Sequence, residues 1–482
     1  MDENQPGASV LRLPLPRRML VVSNRLPYNV SMRGGKPITR RGISGLVTAI
    51  EPVLRVSGGV WIGWSGSYGA LPARATIEPE AGADASRQFQ LRMVHLSKGE
   101  IENYYLGYAN KRLWPLFHYF QEHCEFNVEH WKAYQKVNRK FADVIIDEYR
   151  PGDLVWIHDY HLLLAPAMVR ERIPEARIAF FLHIPFPTED IFAVLPQAEE
   201  LLNGMLGSDL IGFHLPIYAE HFLNTVREMT ASHYNRLERT VSVGAHNVRI
   251  ASFPISIDFD FFDRLGGDSE VQKTARKLRE YYPARTLAFG ADRLDYTKGI
   301  LERLKAIEIM LDRHPNLHGK FTFIQLSAPS RTKVKQYERM RHEIEHMVGH
   351  IVGRFSKEGW VPVVYSYGGL PQSDLAAYYR AADIALITPL RDGLNLIAKE
   401  YVATRSDDDG VLVLSKLAGA AEELTDAVLI NPYDLEGMAE AIYRATRMKK
   451  KERQARMRRM REQVRRNDIY WWLESFLRAV PR

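Results

Sequence analysis

The chain has 482 residues, 46% of them hydrophobic and 26% charged, with a single cysteine, Cys124, and a formal net charge of +7. This composition excludes a largely disordered chain, one cysteine excludes an intrachain disulfide framework or a thiolate zinc site, and no apolar run approaches the ~18 residues of a membrane span. At ~150 residues per domain the length allows about three domains, or equally two large ones.

Met1 to Arg18 is rich in Pro, Gly and polar residues and lacks the apolar stretch of a signal peptide, so a flexible extension and a cytoplasmic setting are expected. Met19 to Ser23 is a continuous apolar run and predicts a buried strand; Leu154–His158, Ile178–Ile184 and Leu210–Phe213 read the same way. Amphipathic stretches at Leu162–Arg172 and Ile217–Met229 predict helices. The pattern then restarts, with strands predicted at Leu287–Gly290, Phe321–Leu326, Val361–Tyr365, Ile384–Thr388, Val411–Leu414 and Val428–Ile430. Helices are predicted at Gly299–Arg313, Val334–Val348, Ser373–Ala382, Leu396–Thr404 and Leu435–Met448. Apolar strands alternating with helices imply parallel sheets covered on both faces. One sheet of this length would be unusual, and the natural cut lies near Pro254–Asp260. The expected fold is therefore α/β, two doubly wound domains with a cleft between them: 19–255 and 256–455, preceded by the extension 1–18 and followed by a C-terminal helix, 456–482, packing back on the first domain.

The charge is concentrated late in the chain. Arg444 to Arg466 holds twelve basic residues against Glu452 and Glu462, a local charge of +10, which leaves −3 for the rest. A basic helix of this kind binds nucleic acid or anionic membrane in some proteins, but this one lacks the broad apolar face of an interfacial helix. A solvated helical face is the reading adopted, with neither nucleic acid nor membrane as a partner.

In doubly wound folds ligands sit outside the carboxyl ends of the strands. Six polar groups follow predicted strands: Asn24-Arg25, His158-Asp159-Tyr160-His161, His183, Arg293 with Lys298, Arg331, and Arg391-Asp392-Gly393. Four of them bring Arg or Lys, which suits an anionic substrate. Arg293 and Lys298 together could neutralise a diphosphate leaving group, or the loop could lie on the surface with Asp295 pairing locally. The run from Asp392 through Gly393 and Asn395 to Glu400 ends a strand, turns and opens a helix, whose free amides suit phosphate; a plain capped loop fits the spacing equally. Gly42-Ile43-Ser44-Gly45-Leu46 is a weak glycine-loop signal. Trp61, Trp64, Tyr104, Tyr105, Trp114 and Trp156 could stack on sugar rings, although aromatics are more often core. Asp407-Asp408-Asp409 lies in a polar loop before Gly410 with no His or Glu suitably spaced beside it, and neither it nor Asp258-Phe259-Asp260 is expected to hold a metal. Neither a P-loop nor a nucleophile elbow occurs.

Taken together, Val22-Ser23-Asn24-Arg25, Trp61 to Gly66, Leu113 to Tyr119, Trp156 to His161, His183-Ile184-Pro185-Phe186-Pro187, Arg293 to Gly299 and Thr388 to Tyr401 closely resemble the OtsA-like trehalose-6-phosphate synthase family, over Met19 to Arg482. These are retaining glycosyltransferases of the two-Rossmann-domain GT-B type. The resemblance implies transfer of glucose from a nucleoside-diphosphate glucose, UDP-glucose or GDP-glucose, to glucose 6-phosphate, without a cofactor or metal and in a homo-oligomer. It implies an acceptor pocket of Arg25, Trp64, Tyr105, Trp114, Asp159 and Arg331, with Arg25 and Arg331 on the phosphate. It implies a donor site of Ser44, Gly45, Leu370, Asp392, Gly393, Asn395, Leu396, Ile397, Ala398, Lys399 and Glu400. Arg293 and Lys298 would clamp the diphosphate, Asp392 would hold the transferred glucose, and His183 would stand beside it, these four forming the catalytic set. Two departures stand out: Ser44-Gly45-Leu46 replaces the usual Gly-Gly-Leu, and Leu370 stands where an aromatic near the base is common. The neighbouring readings are a sister transferase with another phosphorylated acceptor, such as a glucosylglycerol-phosphate synthase, and an inactive regulatory homologue.

Overall fold

The computed structural model describes residues 16–33, 36–41, 50–51, 53–55, 58–66, 73–77, 89–330 and 335–481. The chain divides into two compact units, one drawn from Met1–Ile255 with Ile469–Arg482, the other from Ser256–Asp468.

The strands of the first unit are β1 (Met19–Arg25), β2 (Tyr28–Arg33), β3 (Lys36–Arg41), β4 (Val60–Trp64), β5 (Arg74–Ile77), β6 (Phe89–Met93), β7 (Leu154–His158), β8 (Arg177–Phe181), β9 (Leu210–Phe213), β10 (His233–Asn235), β11 (Thr240–Val243) and β12 (His246–Ser252). β2 and β3 form a separate hairpin; the others join one sheet in the order β10-β11-β12-β9-β8-β7-β1-β4-β6-β5. From β12 to β6 the pairings are parallel. The expected parallel sheet is thus extended by antiparallel edges, β5 on one side and β10-β11 on the other. On the β10-β11 side short connections force this: only Gly244 and Ala245 separate β11 from β12, and Gly244 adopts φ +61°, a hairpin that cannot make a parallel crossover. The winding direction reverses at β1, with β4 and β6 on one side and β7, β8, β9 and β12 on the other.

The second unit holds β13 (Thr286–Arg293), β14 (Phe321–Ala328), β15 (Val363–Tyr367), β16 (Ile384–Ile387), β17 (Val411–Ser415) and β18 (Val428–Ile430). Their order is β15-β14-β13-β16-β17-β18, all parallel, and the winding reverses between β13 and β16. Leu287, Phe289, Ile324 and Leu412 face one apolar core, Ala288, Phe323, Leu386 and Val413 the other, so both faces are covered as the uninterrupted apolar runs require.

The chain end differs from the single returning helix expected over 456–482. Lys450–Arg466 is a helix of the second unit, where Met457, Met460 and Val464, spaced for one helical face, enter the core. Ile469–Ala479 is a separate helix of the first unit. The exchange falls at Asp468 rather than at 455 because the apolar stripe of the basic helix matches the second core. In the terminal helix Trp472 and Phe476, one turn apart, stack on Trp156 at 5.6 and 4.4 Å.

The basic helix is not merely a solvated face. Arg453 binds Asp409 through two nitrogens, at 2.7 and 3.0 Å. Arg458 and Arg461 reach Asp408, Arg461 also reaches Asp263 at 2.6 Å, and Arg459 pairs with Asp426. Asp407 is held by Arg380 and Arg405. Asp408 and Asp409 of the triplet, with Asp263 and Asp426, are therefore the counter-charge that docks this helix. Trp472 is fully buried, so Trp472→Ala should cost about 3–5 kcal/mol of the first unit's stability, read as a lowered urea midpoint with secondary structure retained in buffer.

Candidate functional site

Two polar clusters lie at carboxyl sheet edges, one in each unit. In the second unit the cluster sits where the winding reverses, between the loops after β13 and β16, the position at which doubly wound sheets open a crevice. β13 ends on exposed Arg293. The following turn is built inward: buried Asp295 accepts from the Thr297 amide and hydroxyl at 3.1 and 2.9 Å. Gly299 then turns at φ +62°, where an added Cβ would stand 2.3 Å from the Thr388 carbonyl oxygen. The Leu390 amide donates to the Thr297 carbonyl at 2.8 Å, which brings the two loops together.

That approach places the Lys298 ammonium 2.5 Å from Asp392 Oδ2. Asn395 Nδ2 donates to the same oxygen at 3.0 Å. Asn395 is left-handed, φ +79°, and its Oδ1 caps the Ala398 amide at 3.3 Å, opening the helix Leu396–Thr404. Beneath the loops, fully buried Arg303 donates to Asp292 (2.7 Å), Gln325 (2.6 Å), Thr388 Oγ1 (3.0 Å) and the Lys298 carbonyl (3.3 Å). The capped helix presents Glu400 to Tyr379, whose hydroxyl donates at 3.0 Å. Burial pushes the Glu400 carboxyl up to about 7, against which the Tyr379 hydrogen bond works.

The first unit gathers its cluster around β1, β7 and β8. Arg25, at the end of β1, lies with Cζ 5.2 Å from the Trp64 ring. Gly66, at φ +83°, leaves the space its guanidinium fills, since a Cβ there would fall 1.9 Å from an Arg25 nitrogen. Tyr105 lies 6.0 Å from Trp64 and stacks on His161 at 5.8 Å, while Trp114 contacts His118 and Tyr160 at 4.1 and 5.8 Å. Asp159 follows β7 at φ +76° and accepts from the His183 amide at 3.3 Å. His183, after β8, has Nε2 3.1 Å from His158 Nδ1, and its carbonyl accepts from His214 Nε2 at 3.2 Å.

Burial holds both members of the histidine pair neutral, His158 down to about 3 and His183 well below the ordinary imidazole value. One proton is therefore shared across the 3.1 Å contact. The far nitrogen of His158, Nε2, is buried without a hydrogen-bond partner, and a stranded N–H is the rarer and costlier defect. That assigns the proton to His158 Nδ1, donating to His183 Nε2, and leaves His183 with its own proton on Nδ1.

The structure thus brings Arg293, Lys298, Asp392, Gly393, Asn395, Leu396, Ile397, Ala398, Lys399 and Glu400 to one edge of the second unit, and Arg25, Trp64, Tyr105, Trp114, Asp159 and His183 to one edge of the first. Leu370 follows β15 in the second unit and is 39% exposed. Lys399 points inward and forms a buried ion pair with Glu423 at 2.6 Å. Ser44, Gly45 and Arg331 lie outside the described residues. Asp295 accepts from Thr297 and from the Tyr337 hydroxyl, but in a buried turn rather than in the surface loop of the plainer reading. Sequence reasoning missed Arg303, Tyr379 and His214; only His214, directly after the run Leu210–Phe213, carried the strand-end signal used for the others. Among the described residues no group of three or more His, Cys, Asp or Glu is placed to hold a metal ion, and no helix is long and apolar enough to cross a membrane.

Two Rossmann-like units, each with charged side chains at the carboxyl edge of its sheet, are the architecture of GT-B glycosyltransferases, as solved structures similar to this chain also show. The chain belongs to glycosyltransferase family 20, which residues 17–482 match. A bifunctional trehalose-6-phosphate synthase/phosphatase of Thermoproteus tenax is 44% identical over 474 residues, 96% of this chain and 63% of that protein, so the chain spans less than two-thirds of that relative. A trehalose-6-phosphate synthase of Mycobacterium sp. (strain KMS) is 42% identical over 96% of this chain and 94% of its own. Among solved structures, the E. coli protein bound with UDP-2-fluoro glucose is 34% identical with a TM-score of 0.88, covering 96% of this chain and 98% of that one. The UDP-forming alpha,alpha-trehalose-phosphate synthase of Burkholderia xenovorans in complex with glucose-6-phosphate is 33% identical with a TM-score of 0.86, covering 96% and 99%. The chain is accordingly an enzyme, a glycosyltransferase of trehalose biosynthesis.

The histidine pair yields a prediction. His158→Phe keeps the ring volume and removes the hydrogen bond that orients His183. It should lower kcat for glycosyl transfer about tenfold, the worth of one hydrogen bond, with a smaller change in KM. His158→Asn, which restores a donor, should recover part of the loss. Steady-state kinetics of the three proteins decide this, and wild-type kcat in His158→Phe would refute the assigned proton placement.

Proposed function

We propose that the enzyme is a trehalose-6-phosphate synthase that transfers glucose from UDP-glucose to glucose 6-phosphate with retention of configuration. The observation that carries this reading is the convergence of Lys298 and Asn395 on Asp392 at the winding reversal of the second unit, beside Arg293 and a capped helix start. Cations, a carboxylate and free helix amides in one crevice suit a sugar diphosphate. Arg293 and Lys298 offset charge building on the diphosphate as the bond to the glucose anomeric carbon breaks. Asp392 holds hydroxyls of the transferred glucose, Asn395 and the first turn through Lys399 receive the diphosphate through backbone groups, and Glu400 accepts from the ribose. In the first unit Arg25, with Arg331, takes the acceptor phosphate, while Trp64, Tyr105, Trp114 and Asp159 wall the sugar. His183 donates from Nδ1 to the donor glucose. The ligands named for the E. coli and Burkholderia structures support both substrate assignments.

The acceptor hydroxyl approaches from the face the diphosphate leaves. Its oxygen bonds to the anomeric carbon, the carbon–diphosphate oxygen bond breaks, and the hydroxyl proton passes to a leaving phosphate oxygen. Orientation and charge stabilisation by the protein drive the step.

A donor-by-acceptor matrix tests the reading: UDP-, GDP- and ADP-glucose against glucose 6-phosphate and glycerol 3-phosphate, with products resolved by anomeric configuration. UDP-glucose with glucose 6-phosphate should give the α,α-linked disaccharide phosphate as the fastest combination. Transfer confined to glycerol 3-phosphate, or an inverted product, would overturn it.

The position of Glu400 adds a pH dependence. Its carboxyl is raised to about 7, so the proton leaves as pH rises through that value. The carboxylate is the stronger acceptor for ribose hydroxyls. Between pH 6 and 8 the ionised fraction rises from about a tenth to about nine-tenths, and KM for UDP-glucose should fall by up to about ninefold. Glu400→Gln should flatten that profile.

A further inference from the structure

The first unit carries a second concave site, on the sheet edge opposite Arg25 and Asp159. An open cavity of about 520 Å3 is lined by the starts of β4 and β6 and by the residues leading into β1 and β7, among them Arg17, Arg18, Phe89, Gln90, Arg150 and Asp153. β1 runs seven residues from this edge to Arg25, so the two sites are separated by ~20 Å of strand.

The electrostatics of this edge are lopsided. Among the described residues two carboxylates stand there, Glu148 and Asp153, each with a side chain 4% exposed. Both are already engaged. Arg18 pairs with Asp153 at 3.0 Å and with Glu148 at 3.7 Å. Arg74 and Arg92 reach Glu148 at 2.6 and 3.1 Å. Asp153 Oδ2 also accepts the Arg150 backbone N–H at 2.8 Å. Arg17 and Arg150 line the same cavity with exposed side chains and have no carboxylate partner among the described residues. Among the described residues lining the hollow, three guanidinium groups, Arg17, Arg18 and Arg150, meet one carboxylate, Asp153, an excess of +2 in a space of small-molecule size. A concave wall concentrates that field, and the guanidinium fork matches phosphate oxygens.

We propose that this cavity is a separate anion site, which takes the phosphate group of a phosphorylated small molecule between Arg17 and Arg150. Arg18, fixed by Asp153 and Glu148, forms its cationic floor. Phe89, which is buried, and Gln90 complete the lining.

Inorganic phosphate is the probe, titrated by calorimetry into the full chain at constant chloride. The Arg25→Ala background removes the contact proposed for the acceptor phosphate, so that the two sites are read apart. Arg25→Ala protein should still bind phosphate. Adding Arg17→Ala and Arg150→Ala should weaken binding at least tenfold, and the paired Lys substitutions should weaken it less. Arg17→Ala/Arg150→Ala in the otherwise native chain should keep basal glycosyl transfer and an unchanged thermal midpoint, since both side chains are exposed. The proposal fails if Arg25→Ala protein shows no binding up to about 10 mM phosphate, or if the double substitution leaves binding intact. It also fails if that substitution abolishes basal transfer, which would place these arginines in the substrate machinery.

Discussion

The second unit's cluster depends on one buried cation. Arg303 rises from the helix Ile300–Arg313 where the sheet changes winding direction, and its guanidinium bonds to Asp292 near the end of β13, Gln325 within β14 and Thr388 directly after β16, as well as to the loop carrying Lys298. A guanidinium stripped of water is tolerated only when its donors are matched and a counter-charge is near. Asp292 provides the charge, and Gln325, Thr388 and the Lys298 carbonyl match the donors. The backbone makes room for it: a Cβ on Gly290 would lie 2.6 Å from an Arg303 nitrogen. Because each bond ends on a different segment, the loops after β13 and β16 hold a fixed relation, and the 2.5 Å contact between Lys298 and Asp392 rests on that relation.

The first unit solves the same problem with neutral groups. Three aromatic or imidazole rings, Phe181, His183 and His214, meet at the ends of β8 and β9, with ring centroids 4.7 to 5.5 Å apart. His214 has one nitrogen facing the His183 carbonyl and the other facing the Ile255 amide, so its tautomer is set by its neighbours. Asp159 then ties β7 to β8 by accepting the His183 amide in a left-handed conformation that costs backbone energy. Strain of this kind persists where packing over-determines it, and here β7 is buried along its whole length.

Much of this was legible in the sequence, for a physical reason. Strands covered on both faces must be continuously apolar, so MLVVS, LVWIH and VLVLS declare themselves, and polar residues directly after them fall at the ligand edge by the polarity of parallel sheets. β4 (VWIGW) and β6 (FQLRM) escaped notice because glycine, arginine and tryptophan interrupt the run. The antiparallel edges escaped because they are short and half-exposed. Buried arginines are invisible to periodicity: in a sequence Arg303 reads like any solvated helical charge, and so does Arg461, which is 7% exposed and bonded to Asp263, Asp408 and the Ala403 carbonyl. Lys399 deceived in the opposite direction. Its place in a phosphate-like loop suggested a ligand contact, whereas the helical turn aims it at Glu423.

The distribution of charge follows from the same distinction between cations spent on structure and cations held for chemistry. The late basic helix supplies the +7 of the whole chain, yet Arg453, Arg458, Arg459 and Arg461 are consumed by aspartates of its own unit. Lys298 is different in kind. It is 8% exposed and faces a single carboxylate that also accepts from Asn395, so its direction is set before any anion arrives. Desolvating a lysine–aspartate pair returns little net stability on its own. What the pair provides is preorganisation: in the proposed reaction, charge that builds on the diphosphate meets an ammonium already in place and already stripped of most of its water, and no reorganisation is needed at the moment the bond breaks.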